Sequence, residues 1–260
     1  MAEAVPDALG RRPEVAPPAQ PPAPTAPDDA KVMTLVEHLT ELRRRIFISI
    51  AAVVVGAIVG FLLAAPIIHV LKAPLPTKEP LIALGIGDAF FINLKVALVV
   101  GVVLAMPVWL FELWAFISPG LTREERRVAR PWVPLALLFF GVGVLLAYFI
   151  LPYASAFLFG FQTADIRVMP AANQYFDFVT TLFLAFGLVM EFPIVLVLLS
   201  KVGIVTSKRL SSSRRMVILG ITVFSAFATP GGDLVSPIAM AITMYLLYEA
   251  SIVLVRAGGR

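Results

Sequence analysis

The 260-residue chain contains no cysteine, so it can form no disulfide, no thiolate nucleophile and no thiolate metal site. Charge is scarce as well. Asp, Glu, Lys and Arg make up 15% of the residues, where a soluble domain carries about a quarter. The two histidines, His38 and His69, both fall outside the long apolar blocks, and neither His-Glu-x-x-His nor Gly-x-Ser-x-Gly occurs. Zinc and serine proteases of those types are thereby excluded. No glycine-rich phosphate loop is present, so no bound nucleotide is expected, and no motif calls for another cofactor.

What the chain does have is apolar length. Hydrophobic residues make up 59% of it, and Ile46 to Ala65 runs without a charge. At 1.5 Å per residue that run reaches about 30 Å, the hydrocarbon thickness of a bilayer. An all-α polytopic membrane protein with six spans is expected, near 46–66, 89–113, 132–152, 174–200, 216–229 and 235–255. They make up a membrane domain over 31–260. Residues 1–30 hold eight of the 21 prolines, cannot bury enough apolar surface to order themselves, and read as a disordered tail. Arg11-Arg12 in that tail have no apolar run behind them and so are no targeting signal, and span one reads as an uncleaved anchor.

The cations sort by side. Arg11, Arg12, Lys31 and Arg43 to Arg45 precede span one. Arg123, Arg126, Arg127 and Arg130 follow span two, Lys201, Lys208, Arg209, Arg214 and Arg215 follow span four, and Arg256 and Arg260 follow span six. The opposite loops hold Lys72, Lys78 and Arg167, with Lys95 just inside span two. The positive-inside rule then places both termini in the cytoplasm, and explains the net charge of +4 without a nucleic-acid partner.

Several residues stand out against this background. Leu35, Leu39, Leu42 and Ile46 share one helical face, predicting an amphipathic helix ahead of span one. Thr34 with Glu37, and Thr122 with Glu125, have the spacing of capping boxes. Glu41 can pair with Arg45 one turn on. Gly56 and Gly60 predict a close helix crossing. Trp114 and Phe116 place aromatic surface at headgroup depth.

Glu191, deep in span four and followed by Phe192-Pro193, is the most telling. A carboxylate there costs about 2.5–3.5 kcal/mol, so it should face protein or a wet cavity, and Pro193 should bend the helix. Glu112 and Lys95 can snorkel, and Glu249 can bond within the bundle or lean toward Arg256. Met216 to Ala228, about 20 Å of helix, is short for a span, so neighbours must shield it or the bilayer must thin around it.

Two rival readings arise from the same residues. Gly85-Ile86-Gly87-Asp88 with Asp177 fits the pattern of an intramembrane aspartyl protease, but both aspartates fall at outer span ends, where helix caps are expected. Glu191 and Pro193 would suit an ion-coupled solute transporter, although no inverted repeat is visible.

His38-Leu39-Thr40-Glu41-Leu42-Arg43 before span one, Trp114-Ala115-Phe116-Ile117-Ser118-Pro119-Gly120-Leu121 and Glu125-Arg126-Arg127 after span two, and Ala185-Phe186-Gly187-Leu188-Val189-Met190-Glu191-Phe192-Pro193 in span four together resemble the TatC family. That resemblance covers about Met33 to Arg256. It implies a six-helix, glove-like bundle in the cytoplasmic membrane, with no enzymatic activity. The implied function is that of a receptor for twin-arginine signal peptides and core of a translocase exporting folded proteins on the proton motive force. Implied partners are TatA, TatB, further copies of the chain and membrane lipid. By the same resemblance Glu41, Glu125 and Phe116, with His38 and Arg43, match the signal-peptide site. Glu191 matches an intramembrane polar residue. Asp233 matches the acidic residue after span five, here following Pro230-Gly231-Gly232.

Overall fold

Helix α1 runs unbroken over Leu35–Leu62, so the amphipathic segment and the first span are one rod. No Gly or Pro occurs from Leu35 to Val55, and the Glu41–Arg45 pair one turn apart stitches the junction. The computed structural model describes residues 35–76, 80–120, 126–127, 130–163, 165, 169–201, 203–229 and 232–257. The expected tail at 1–30, Thr34, Thr122 and Glu125 lie outside the described residues.

Among the described residues, six further helices of the membrane domain and two short ones follow. α2 (Ala64–Lys72) takes Pro66 in its first turn, where the missing N–H costs nothing. Span one therefore closes at Leu62 rather than 66. α3 is Asp88–Ile117, capped by a 3-10 turn over Ser118–Gly120. α4 is Trp132–Phe159 and continues past Pro152, where an end was expected. Neighbouring helices let a membrane helix carry a proline. α5 (Ala172–Val189) and α6 (Phe192–Lys201) are the two halves of span four. α7 (Ser207–Ser212), α8 (Arg214–Ala228) and α9 (Val235–Ala257) complete the order.

The break between α5 and α6 falls where Pro193 requires it. Pro193 has no N–H for the Val189 carbonyl, and Glu191 N turns instead to Leu188 O at 3.1 Å. Past α6, Gly203 takes φ of +83°, and Ile204 N donates to Leu199 O at 3.0 Å, a left-handed helix stop.

Five of the spans are long and apolar enough to cross a bilayer: Val36–Leu62, Asp88–Gly120, Trp132–Phe159, Ala172–Lys201 and Val235–Ala257. The sixth, α8, has 15 residues and reaches about 22 Å. Its principal neighbours in the chain are α9 and α7. Leu219 and Phe227 on it are 60% and 87% exposed, so this chain does not shield it.

Helix α3 organises the rest, packing against α1, α2, α4 and α5, while α9 gathers α4, α6, α7 and α8. Glycines set the closest approaches. A Cβ on Gly56 would meet Gly101 O at 2.7 Å, and one on Gly60 would meet Ala97 O at 2.6 Å, so the small-residue pair is the α1–α3 crossing. Around the crossing of α4, α5 and α9, Leu151, Val179, Leu182, Phe186, Met240 and Ile252 are buried to 1% exposure or less.

Candidate functional site at the α1–α3 end

α1 and α3 run antiparallel, and matching faces meet turn by turn. His38, Glu41 and Arg45 lie at i, i+3 and i+7 on α1, opposite Phe116 and Glu112 on α3. The His38 ring stacks on Phe116, with centroids 4.3 Å apart and planes 15° from parallel. One turn deeper, Arg45 bridges two carboxylates. Its Nε and Nη2 both donate to Glu41 Oε1, the first at 3.0 Å. Its Nη1 donates to Glu112 Oε2 at 2.9 Å. Side-chain exposures are 21% for Arg45, 20% for Glu41 and 12% for Glu112. Glu41 Oε2 is buried with no hydrogen-bond partner among the described residues.

Two cavities open on this trio. One of about 400 Å³ is lined by Glu41, Arg44, Arg45, Ile48 and Glu112. The other, about 470 Å³, is lined mainly by apolar groups, Trp109, Leu113 and Phe116 among them. The arrangement is a half-buried carboxylate pair with an aromatic wall, able to hold a planar cation by charge-assisted hydrogen bonds.

The residues singled out in the sequence separate here. Glu41, His38 and Phe116 come together. Arg43 does not join them: its guanidinium lies 5.7 Å from the Phe47 ring centroid, over the ring face. Glu125 lies outside the described residues. Its neighbour Arg126 donates from Nε and Nη2 to Ser118 O at 3.2 and 2.7 Å, capping the end of α3.

Glu112 is the residue whose role spacing alone missed. It does not snorkel; it is held by Arg45 across 67 positions of chain. The sequence signal was its cost, because a carboxylate buried in an apolar helix needs a cation. Lys95 is paired as well, and Glu249 takes the first of its two expected roles, a bond within the bundle. Lys95 Nζ bonds Asn173 Oδ1 at 2.6 Å and Asp177, joining α3 to α5. Glu249 is forked by Arg214 at 2.7 and 2.8 Å rather than leaning toward Arg256.

A separate apolar cleft of about 550 Å³ lies on the other face of α3, between Leu110, Leu113 and Trp114, Trp132 of α4, and Ile194 and Leu198 of α6. Leu113 lines both this cleft and the aromatic cavity. Ile194 and Leu198 follow Glu191 by three and seven residues, so the cleft runs up the Glu191 face of α6. Glu191 itself is half-buried in the α5–α6 break, with Oε1 unpartnered among the described residues.

Asp233 is 4% exposed and its Oδ1 accepts from Ser236 N at 2.6 Å, capping α9. Asp88 Oδ2 accepts from Leu84 N and Gly85 N at 2.9 and 2.8 Å, closing the turn before α3. Asp177 is not a cap, as its spacing suggested, but the partner of Lys95. With Asp88 in a turn and Asp177 in an ion pair, the two do not form the proton-sharing dyad of an aspartyl protease.

Comparison with known proteins gives the family. A family model described as Sec-independent protein translocase protein (TatC) matches residues 37–242. The Sec-independent protein translocase protein TatC of Desulforapulum autotrophicum is 40% identical over 229 residues, covering 86% of this chain and 84% of that protein. That of Aquifex aeolicus is 40% identical over 228 residues, covering 85% and 94%. A crystal structure of the twin arginine translocase receptor TatC in DDM superposes with a TM-score of 0.75 at 38% identity, covering 84% of this chain and 99% of that one. The chain belongs to the TatC family of Sec-independent protein translocase proteins, multi-pass membrane components of a protein translocase rather than enzymes.

Proposed function

We propose that this chain is the receptor for twin-arginine signal peptides and the core of the translocase that exports folded proteins, driven by the proton motive force. The observation that carries the reading is the Glu41 carboxylate beside Glu112, half-buried at the basic end of the bundle, with one oxygen unpartnered and a cavity beside it. A guanidinium is planar and binds a carboxylate through two parallel N–H groups, whereas an ammonium is a point charge with a tighter water shell. A partly desolvated carboxylate therefore favours arginine over lysine.

The remaining parts fit one ligand. The arginine pair enters beside Glu41, with Glu125 supplying the further carboxylate that the family resemblance assigns to it and Phe116 and His38 walling the site. The apolar stretch of the signal continues past Leu113 into the cleft that runs toward Glu191. The distribution of Lys and Arg supports a cytoplasmic position for this end, both termini and the 1–30 tail, with 31–260 in the cytoplasmic membrane. The open face of α8 suits the single-span subunits TatA and TatB, another copy of the chain, or lipid thinned around 15 residues.

The test is binding of a labelled Arg-Arg signal peptide to the protein in nanodiscs, together with photocrosslinking from position 125. Glu41→Gln should lower affinity about tenfold, the worth of one charge-assisted hydrogen bond. A Lys-Lys peptide bound as tightly as Arg-Arg would overturn the reading.

A further inference from the structure

The carboxylate that awaits an arginine is already holding one. We propose that Arg45 is an internal competitor for the signal peptide and sets the preference for arginine over lysine; this rests on the signal-peptide reading above. Arg45 donates twice to Glu41 Oε1 and leaves Oε2 buried and unpartnered. A two-pronged guanidinium contact needs both oxygens of a carboxylate. An incoming arginine thus completes its contact only when Arg45 leaves Oε1.

Glu112 makes that departure inexpensive. It already accepts from Arg45 Nη1 at 2.9 Å, so Arg45 can give up Glu41 and stay paired. Without Glu112, leaving would strand a partly buried cation, which is costly. The charge around the cavity points the same way. Glu41 and Glu112 face Arg44 and Arg45 there, so the resting site is neutral and repels no less than it attracts. Withdrawal of Arg45 onto Glu112 frees one carboxylate for the incoming side chain. Only a ligand that binds Glu41 better than Arg45 does can complete the exchange. Another guanidinium can, through both oxygens; a lysine ammonium, lacking the planar fork, cannot.

The residue pair therefore acts as a filter: Arg45 as the standard to be beaten, Glu112 as the place it goes. Three variants of the full chain in nanodiscs test this, with Arg-Arg and Lys-Lys peptides titrated against each. Arg45→Gln should raise affinity for both peptides, by about tenfold for Lys-Lys and less for Arg-Arg, so discrimination shrinks. Glu112→Gln should lower Arg-Arg affinity severalfold, because Arg45 is then confined to Glu41. The double variant Arg45→Gln/Glu112→Gln should recover that affinity, a rescue that a strut or a direct peptide contact at Glu112 would not give.

Should Arg45→Gln not insert stably, Arg45→Lys keeps the charge but loses the fork, and should likewise raise Lys-Lys affinity. If Arg45→Gln or Arg45→Lys weakens both peptides alike, or the double variant stays weak, the exchange is wrong although the site stands. If the unaltered protein shows no preference for Arg-Arg, the signal-peptide reading itself fails.

Discussion

His38 and Phe116 lie ring on ring, 4.3 Å between centroids and 15° from parallel, closing the α1–α3 seam at the start of α1, one turn beyond the Arg45 bridge. A stacked pair of this kind is worth about 0.5–1.5 kcal/mol beyond its buried area. Phe116 also walls the aromatic cavity. Phe116→Ala should therefore loosen the first turns of α1 and weaken Arg-Arg peptide binding roughly fivefold, with Phe116→Tyr close to unchanged. Titration of the two variants side by side checks this. Equal loss in both would point to a local misfold rather than a missing ring.

The seam is held at its middle by backbone contact. A Cβ on Gly101 would sit 2.6 Å from Ala57 N and 2.8 Å from Val53 O, neither of which can swing aside. Gly101→Ala must push α1 off α3, at about 1–3 kcal/mol for overpacking. Because Arg45 and Glu112 face each other across that same seam, the variant should lose stability and peptide affinity together. Gly141→Ala, where an added Cβ meets nothing, is the control that should lose neither. Thermal unfolding in detergent and peptide titration read the two effects.

Much of this architecture was legible in the residues. Apolar runs gave the spans, the cation count gave the basic end, Gly56 and Gly60 gave the crossing, and Pro193 gave the break in span four. Span three runs to Phe159 rather than 152, and Pro152 lies inside it, because a proline is tolerated in a membrane helix where neighbouring helices cover the freed carbonyl. The ion pairs were hidden for a different reason. Arg45–Glu112, Lys95–Asp177 and Arg214–Glu249 join positions 67, 82 and 35 apart, and each partner had a plausible local role. Spacing reports neighbours on one helix, not which helices meet. What the sequence did contain was the cost of each charge, which said that some partner was needed without naming it.

Lys95 and Asp177 answer that cost by pairing with each other. Their side chains are 32% and 55% exposed on membrane-spanning helices, and Asn173 adds a third contact. Lys95→Met leaves Asp177 alone on α5, and should destabilise the protein by more than Lys95→Met/Asp177→Leu, which removes both charges. The ordering of the two midpoints in a denaturing-detergent titration is the measurement. A single variant as stable as the double would mean that water, not Lys95, balances Asp177.

Glu191 offers the sharpest separation of stability from function. Its Oε1 is buried without a partner among the described residues, in a break where Pro193 has already cost the helix a hydrogen bond. A leucine there removes a carboxylate that costs about 2.5–3.5 kcal/mol to place in a bilayer, so Glu191→Leu should insert at least as well and unfold no earlier. If the carboxylate does nothing beyond occupying the break, the variant should be unaltered or improved in every assay. If the carboxylate instead meets the inserted signal or a single-span partner, Glu191→Leu should bind Arg-Arg peptide at the α1–α3 site normally and yet fail to export cargo. Peptide titration, unfolding midpoint and export into membrane vesicles, measured on one preparation, decide between them: retained binding and stability with export lost is the expected result, and normal export would confine Glu191 to shaping the bend.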